Sequence, residues 1–274
     1  MGKTKTFICS LLVMALWGLL YPLVKFGYGE CGIVTIPDIL VFIGIRFTVS
    51  GIAITAFSLI RNPENFKKLK GRVLSVFLAG FFTIVLHYTL NYWGIMLSDS
   101  SKSAILKQAG SIIYVCFSFM FFKDDKVTVK KLVGVALGFC GIIAINITGG
   151  GLAFKLGDLL IIASSVCIMF GNIISKKTFA EITPILATGI SQFFGGAIVL
   201  IAGFSLGGGI TFSGAGSFGV LGLICAASII SYCLWYVNIT RVKLSNLYII
   251  KFAEPLFACV FSALLLGENV LRIE

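Results

Sequence analysis

The chain has 274 residues and a mass of 29.5 kDa, with 58% hydrophobic residues, 12% charged residues and a mean hydropathy of +1.04. A soluble domain carries roughly 25% charged residues, so this sequence cannot cover itself with water-wetted side chains and its solvent is lipid. The net charge of +11 arrives in short clusters between apolar runs rather than on one wetted face, which reads as membrane topology and excludes a nucleic-acid surface.

A helix needs about 20 apolar residues to cross the hydrocarbon core. Runs approaching that length predict nine spans in chain order: Phe7 to Phe26, Ile39 to Ile60, Val73 to Leu97, Ser103 to Phe122, Leu132 (or, because that run is short, nearer Val129) to Ile147, Leu159 to Ser175, Pro184 to Leu206, Phe218 to Ile239 and Leu247 to Leu266. The first follows Lys3 and Lys5 but runs past Trp17 without an A-x-A cleavage pattern, so it is expected to stay in the mature chain. Of the 22 Lys and Arg residues, 15 fall in connections on one side, among them Arg61, Lys67, Lys68, Lys70 and Arg72, and 4 on the other. By the positive-inside rule the N-terminus is cytoplasmic, in the cell (inner) membrane. The eight cysteines show no CxxC spacing and read as small apolar packing residues, not metal ligands or disulfides.

Sliding the sequence by 144 positions pairs Tyr88 with Tyr232, Tyr92 with Tyr236, Ser101 with Ser245, Ile105 with Ile249, Lys107 with Lys251 and Ala109 with Ala253, within an ungapped window of ten identities. The shift covers five spans, an odd number, so the second copy stands upside down relative to the first, as in carriers built from inverted repeats. The predicted fold is an all-α integral membrane protein of two inverted five-helix repeats, residues 1–150 and 151–274. A partner for span five is expected after Leu266, but the sequence ends at Glu274 shortly after Gly267-Glu268-Asn269, so a missing tenth helix is expected, by truncation in preference to loss of the helix.

Ionised groups at membrane depth are costly unless they face a wet cavity or a partner, which singles out Arg46, Lys107, Lys251 and Glu254. Lys107 and Lys251 hold matched positions, and two cations approaching one cavity suit a carboxylate or phosphate substrate; the alternative is that each snorkels to its interface. Glu254, three residues after Lys251, shares nearly its helix face and either neutralises it as a structural pair or belongs with it to a substrate site, while Pro255 permits a bend. Arg46 lacks an acid at a neighbouring turn, so its partner is another helix, a backbone carbonyl or substrate. Tyr88 and Tyr92, with Tyr232 and Tyr236, place two tyrosines one turn apart on spans three and eight, either as cavity walls or as interfacial anchors. His87 adjoins that face and titrates nearest neutrality, or is simply a packing histidine. Asn91, Asn172 and Gln192 either contact substrate or join helices. Gly134, Gly138 and Gly141, and Ala187, Ser191 and Gly195, let helices approach closely, in internal packing in preference to dimerisation. No acid pair, metal-spaced Cys/His set, P-loop or GxSxG lies within the spans, so neither an enzyme nor a cofactor is expected.

Trp17-Gly18 with Pro22 and Lys25, Arg46 in span two, and Glu254-Pro255-Leu256-Phe257 leading to Leu266-Gly267-Glu268 resemble the drug/metabolite transporter superfamily of the EamA type over essentially the whole chain. That resemblance implies ten helices in two inverted halves and alternating access around a central cavity to which Trp17 belongs. The chain departs by ending after nine spans and by carrying Asp124 where the first repeat's terminal glutamate is usual. The run Lys251-Phe252-Ala253-Glu254-Pro255 is similar to the K-x-x-E-P element of the organophosphate and triose-phosphate translocator branch, which implies that Lys251, and by the repeat Lys107, contact an anionic substrate; drug or amino-acid efflux is equally compatible with the general resemblance. The expectation is a secondary transporter of a small polar, anionic metabolite, monomeric or homodimeric in the bilayer. A non-transporting scaffold or receptor of the same architecture is the other reading.

Overall fold

The computed structural model describes residues 3–97, 106–146 and 155–267, and among them every regular element is helical. The first span is α1 (Lys3–Glu30), with Pro22 inside it. Helix α2 (Ile36–Arg61) starts where a capping box dictates: the Thr35 hydroxyl accepts from the Asp38 N–H while the Asp38 carboxylate accepts from the Thr35 N–H, meeting two donors that a helix start otherwise leaves unpaired. A short 3₁₀ segment, Pro63–Leu69, leads to α3 (Val73–Gly80), a π-helical turn at Phe81–Leu86 and α4 (His87–Leu97), which together form one span. Then come α5 (Ala109–Phe121), α6 (Val129–Asn146), α7 (Leu156–Phe179), α8 (Pro184–Ser205), α9 (Ala215–Arg241), α10 (Leu244–Ile250) and α11 (Ala253–Leu266).

Seven helical stretches among the described residues are long and apolar enough to cross a membrane, the last of them formed by α10 and α11 together. Helix α5 has 13 residues and is shorter than the span expected from Ser103, because Lys107 and Gln108 form a turn before it. Helix α6 begins at Val129, the earlier of the two starts expected for span five. The Thr128 carbonyl accepts from the Lys131 and Leu132 N–H groups there, carrying the helix back across both lysines. The expectation about a missing tenth helix concerns residues beyond Gly267, outside the described residues.

Side chains are distributed as a lipid solvent requires. Large apolar groups such as Phe57, Phe119, Leu137, Ile201 and Leu264 are exposed, while Arg46, Lys251, Glu254 and Gln192 are buried. Without a hydrophobic drive between helices, association depends on close backbone approach. Helix α2 lies along α8 with glycines at the contact: a Cβ at Gly51 would stand 2.3 Å from the Phe193 nitrogen, and one at Gly44 would stand 2.5 Å from the Leu200 Cα. Around this pair, α1 packs on α9 and α11, and α4 packs on α7. Gly134 and Gly138 of α6 face Ile249 and Phe252 at the α10–α11 junction, and Gly195 faces Ile84, so these small residues serve internal contacts.

Candidate functional site

Arg46 lies about 15 Å along α2 from its first residue, at membrane depth, and only 4% of it is exposed. Its Nε donates to the Ser228 hydroxyl of α9 at 2.7 Å, and that hydroxyl in turn donates to the Ile224 carbonyl. Serine neutralises none of the charge, and no carboxylate lies within ion-pair distance of the guanidinium among the described residues. An arginine held this way keeps its planar fork available to an anion.

Aromatic rings enclose this position. The Tyr88 and Tyr232 hydroxyls are 2.7 Å apart. Phe47 packs on both rings, at 4.9 and 5.6 Å between centroids, and Trp17 lies 5.6 Å from Tyr232 and 5.0 Å from Trp235. Tyr92 stacks on Tyr88 and Tyr236 on Tyr232, each at 6.2 Å. Four separate spans thus deliver the cluster. The Trp17 indole N–H and the Asn91 carbonyl oxygen are buried without a hydrogen-bond partner among the described residues, an unmet demand that functional sites often carry.

The two matched lysines occupy matched breaks. Lys107 and Gln108 form the turn before α5, as Lys251 and Phe252 form the turn between α10 and α11. In the second copy the cause is Pro255: it has no N–H for the Lys251 carbonyl four residues back, which accepts instead from the Glu254 N–H at 3.0 Å. The first copy breaks without a proline; the Gln108 carbonyl there accepts from the Ser111 N–H at 2.9 Å.

Glu254 differs from expectation. Its carboxylate pairs not with Lys251 but with Lys107, at 3.4 Å. The Tyr21 hydroxyl bridges the two charges, donating to Glu254 at 3.1 Å and accepting from Lys107. The turn at Lys251 and Phe252 undoes the i,i+3 alignment that would have brought Lys251 and Glu254 together. Lys251 is 4% exposed, and its ammonium lies 5.8 Å from the centre of the Tyr248 ring. Both ammonium groups thus have contacts within the protein, Lys107 with Tyr21 and Glu254 and Lys251 with the Tyr248 ring.

The remaining candidates are tied into the helix packing. The His87 Nδ1 lies 3.0 Å from the Ser164 carbonyl of α7. Asn172 donates to the Tyr248 hydroxyl at 3.0 Å and accepts from the Trp235 indole at 3.3 Å. Gln192 is buried with both amide atoms unpartnered among the described residues.

A family model described as the EamA-like transporter family matches residues 4–147 and 155–274, nearly the whole chain. The chain belongs to the EamA-like transporter family. Among relatives of this EamA-like protein, the uncharacterized inner membrane transporter YedA of Escherichia coli K12 is 25% identical over 271 residues, covering 94% of this chain and 82% of that one. The uncharacterized transporter YvbV of Bacillus subtilis strain 168 is 26% identical over 203 residues; the match covers 74% of this chain and 64%, just under two thirds, of that protein. A solved crystal structure superposes with a TM-score of 0.81 at 15% identity, covering 99% of this chain and 91% of that one, a likeness of fold. The protein is therefore a multi-pass membrane transporter.

Sequence reasoning singled out Arg46 and the tyrosines but missed Phe47, Ser228, Trp235 and Tyr21. One signal was legible: Tyr21 stands one helical turn after Trp17, and Trp235 three residues after Tyr232, each on the face of a residue already selected.

Proposed function

We propose that this protein is a secondary transporter that moves a small anionic metabolite by alternating access between two inverted five-helix halves, residues 1–150 and 151–274, with the N-terminus in the cytoplasm. The observation that carries the substrate class is Arg46: a guanidinium at membrane depth, bound to the Ser228 hydroxyl and framed by Tyr88, Tyr232 and Phe47, with no carboxylate in ion-pair reach among the described residues. A carboxylate or phosphate of substrate completes that pairing, with Tyr88, Tyr92, Tyr232, Tyr236 and Trp17 as walls. Lys251 adds a second cation, whereas Lys107 is already offset by Glu254.

The inverted arrangement is supported by packing that maps onto itself under the 144-residue shift. Helix α1 against α9 corresponds to α7 against α4, α1 against α11 corresponds to α7 against α5, and α2 lies on its own counterpart α8. Alternating access is favoured because the breaks at Lys107 and Lys251 put a hinge in each half, and because Arg46, Trp17, Tyr232 and Tyr236 are all below a tenth exposed, an occluded centre between two open forms.

Counterflow in proteoliposomes tests the reading. Vesicles loaded with a mixture of unlabelled carboxylates and sugar phosphates should accumulate one labelled member of that mixture only when they contain the protein. Exchange of neutral or cationic solutes alone would reject the substrate class, and no exchange of any solute would favour a scaffold.

A further inference from the structure

The 3₁₀ segment Pro63–Leu69 lies between the end of α2 and the start of α3, at the membrane boundary on the face that carries most of the basic residues. Beneath it is a recess of about 510 Å³, within the range of roughly 300–1,000 Å³ typical of small-molecule sites. Its floor and walls are apolar, formed by Phe66, Val73 of α3, and Ile190 and Phe194 of α8; its rim carries Lys67 and Lys70. The walls come from separate parts of the chain and are pinned together. The Thr183 hydroxyl before α8 donates to the Asn65 side chain at 3.0 Å, Arg72 pairs with Glu181, and Phe77 meets Phe194 edge-on at 6.2 Å.

Charge narrows the occupant. The connection holds Arg61, Lys67, Lys68, Lys70 and Arg72 against Glu64 alone. Glu64 is spent on Lys67 at 2.8 Å, at the solvent edge, and Glu181 is spent on Arg72. Lys68 and Lys70 have no carboxylate in ion-pair reach among the described residues. Phe66, 63% exposed, and Val73, 51% exposed, line the recess together with Lys67 and Lys70. Apolar surface opening toward the acyl layer beneath ammonium groups at the headgroup layer matches one molecule in both parts.

We propose that this recess is a binding site for an anionic diacyl phospholipid, its phosphate between Lys70 and Lys67, where it displaces Glu64 from an exposed and therefore weak pair, and one acyl chain in the slot bounded by Val73, Ile190 and Phe194. Basic pockets between helices at the membrane boundary select anionic headgroups for this reason. The site rests on the membrane placement of the chain and not on the substrate of the central cluster. Because its walls belong to α3 and α8, the lipid bridges elements more than 100 residues apart in the sequence.

Native mass spectrometry of the purified full-length chain tests it, with phosphatidylglycerol, phosphatidylcholine of the same acyl chains and glycerol 3-phosphate as probes. Phosphatidylglycerol should be retained in preference to phosphatidylcholine. Lys67→Gln with Lys70→Gln should weaken that retention roughly fivefold for each lysine removed. Lys123→Gln with Lys130→Gln, removing equal charge elsewhere on the same face, should leave it unchanged. Ile190→Trp, which fills the slot and spares the cations, should reduce retention of both lipids. Equal retention of the two lipids would overturn the proposal. So would equal effects of the two lysine pairs, displacement of phosphatidylglycerol by glycerol 3-phosphate, or a dimer of the chain that Ile190→Trp abolishes.

Discussion

The hydroxyls of Tyr88 and Tyr232 lie 2.7 Å apart across 144 residues of sequence, and the same interval aligns the two copies within the chain. In the proposed two-half arrangement a residue touches its own counterpart only where the copies meet, and this hydrogen bond would lie at that junction. Tyr88→Phe and Tyr232→Phe each strand the other hydroxyl. Each should weaken substrate binding, and the double replacement should cost less than the two singles together. The expected coupling is about 0.5–1.5 kcal/mol in a double-mutant cycle on substrate affinity; strictly additive losses would contradict it.

Arg46 offers a sharper distinction, because Lys preserves its charge but neither the planar fork nor the Nε–H that reaches Ser228. Arg46→Lys should weaken binding of the anionic substrate by roughly tenfold or more, from the worth of a charge-assisted hydrogen bond, and Arg46→Gln should abolish it. Saturation binding to the purified variants measures both. Full affinity in Arg46→Lys would reduce the residue to a bare positive charge.

Lys107 and Glu254 should behave as a unit. Removing one partner of a buried ion pair commonly costs about 3–5 kcal/mol. Here 21% of the Lys107 side chain is exposed, so Lys107→Gln should cost less, roughly 1–3 kcal/mol. Lys107→Gln with Glu254→Gln should recover part of that loss, because no lone carboxylate remains. Thermal unfolding in detergent reads the difference, and a double variant less stable than either single one would show that the pair is not the relevant unit.

These residues also mark where sequence was informative. The tyrosine pairs, Arg46 and the matched lysines were legible because each depends on a repeat or on charge placed against an apolar background, and both are properties of the sequence alone. The partner of Glu254 was not legible. Spacing arguments assume an unbroken helix, and Pro255 breaks the one that would have set Lys251 beside Glu254. The π-helical turn at Phe81–Leu86 packs against α7 and α8, and the bridging role of Tyr21 depends on how α1 and α11 meet the turn at Lys107; no local pattern encodes either. The start of α6 was legible as one of two choices, Leu132 or nearer Val129, and the Thr128 carbonyl decides for the earlier one by drawing both lysines into the helix.

Outside the spans, Asp125 predicts a pH dependence. Burial pushes its carboxyl up, but the Lys131 ammonium at 2.6 Å and the Ser245 hydroxyl and N–H outweigh that and hold it below the ordinary value of 3.8. Tyr114 also donates to it, at 3.0 Å, so one carboxylate ties the connection between α5 and α6 to the start of α10. A depressed folded-state pKa contributes stability that is present above the unfolded-state value and lost as pH falls through the folded one. Asp125→Asn should therefore be less stable than the parent chain near neutrality, and the gap should close only below about pH 3.8. A gap that closed between pH 5 and 7 would assign the effect to another group.

The most direct test of the central claim is a thermal-shift comparison of the parent chain and Arg46→Gln against matched solutes, such as glycerol 3-phosphate beside glycerol and a dicarboxylate beside its diamide. A ligand at 100 times its dissociation constant stabilises by about 2.7 kcal/mol, enough to read clearly. Stabilisation of the parent chain by an anionic member of a pair, absent for its neutral twin and absent in Arg46→Gln, is the predicted result. Equal stabilisation by both members, or an anion that protects Arg46→Gln as well as the parent, would contradict an anion site built on Arg46.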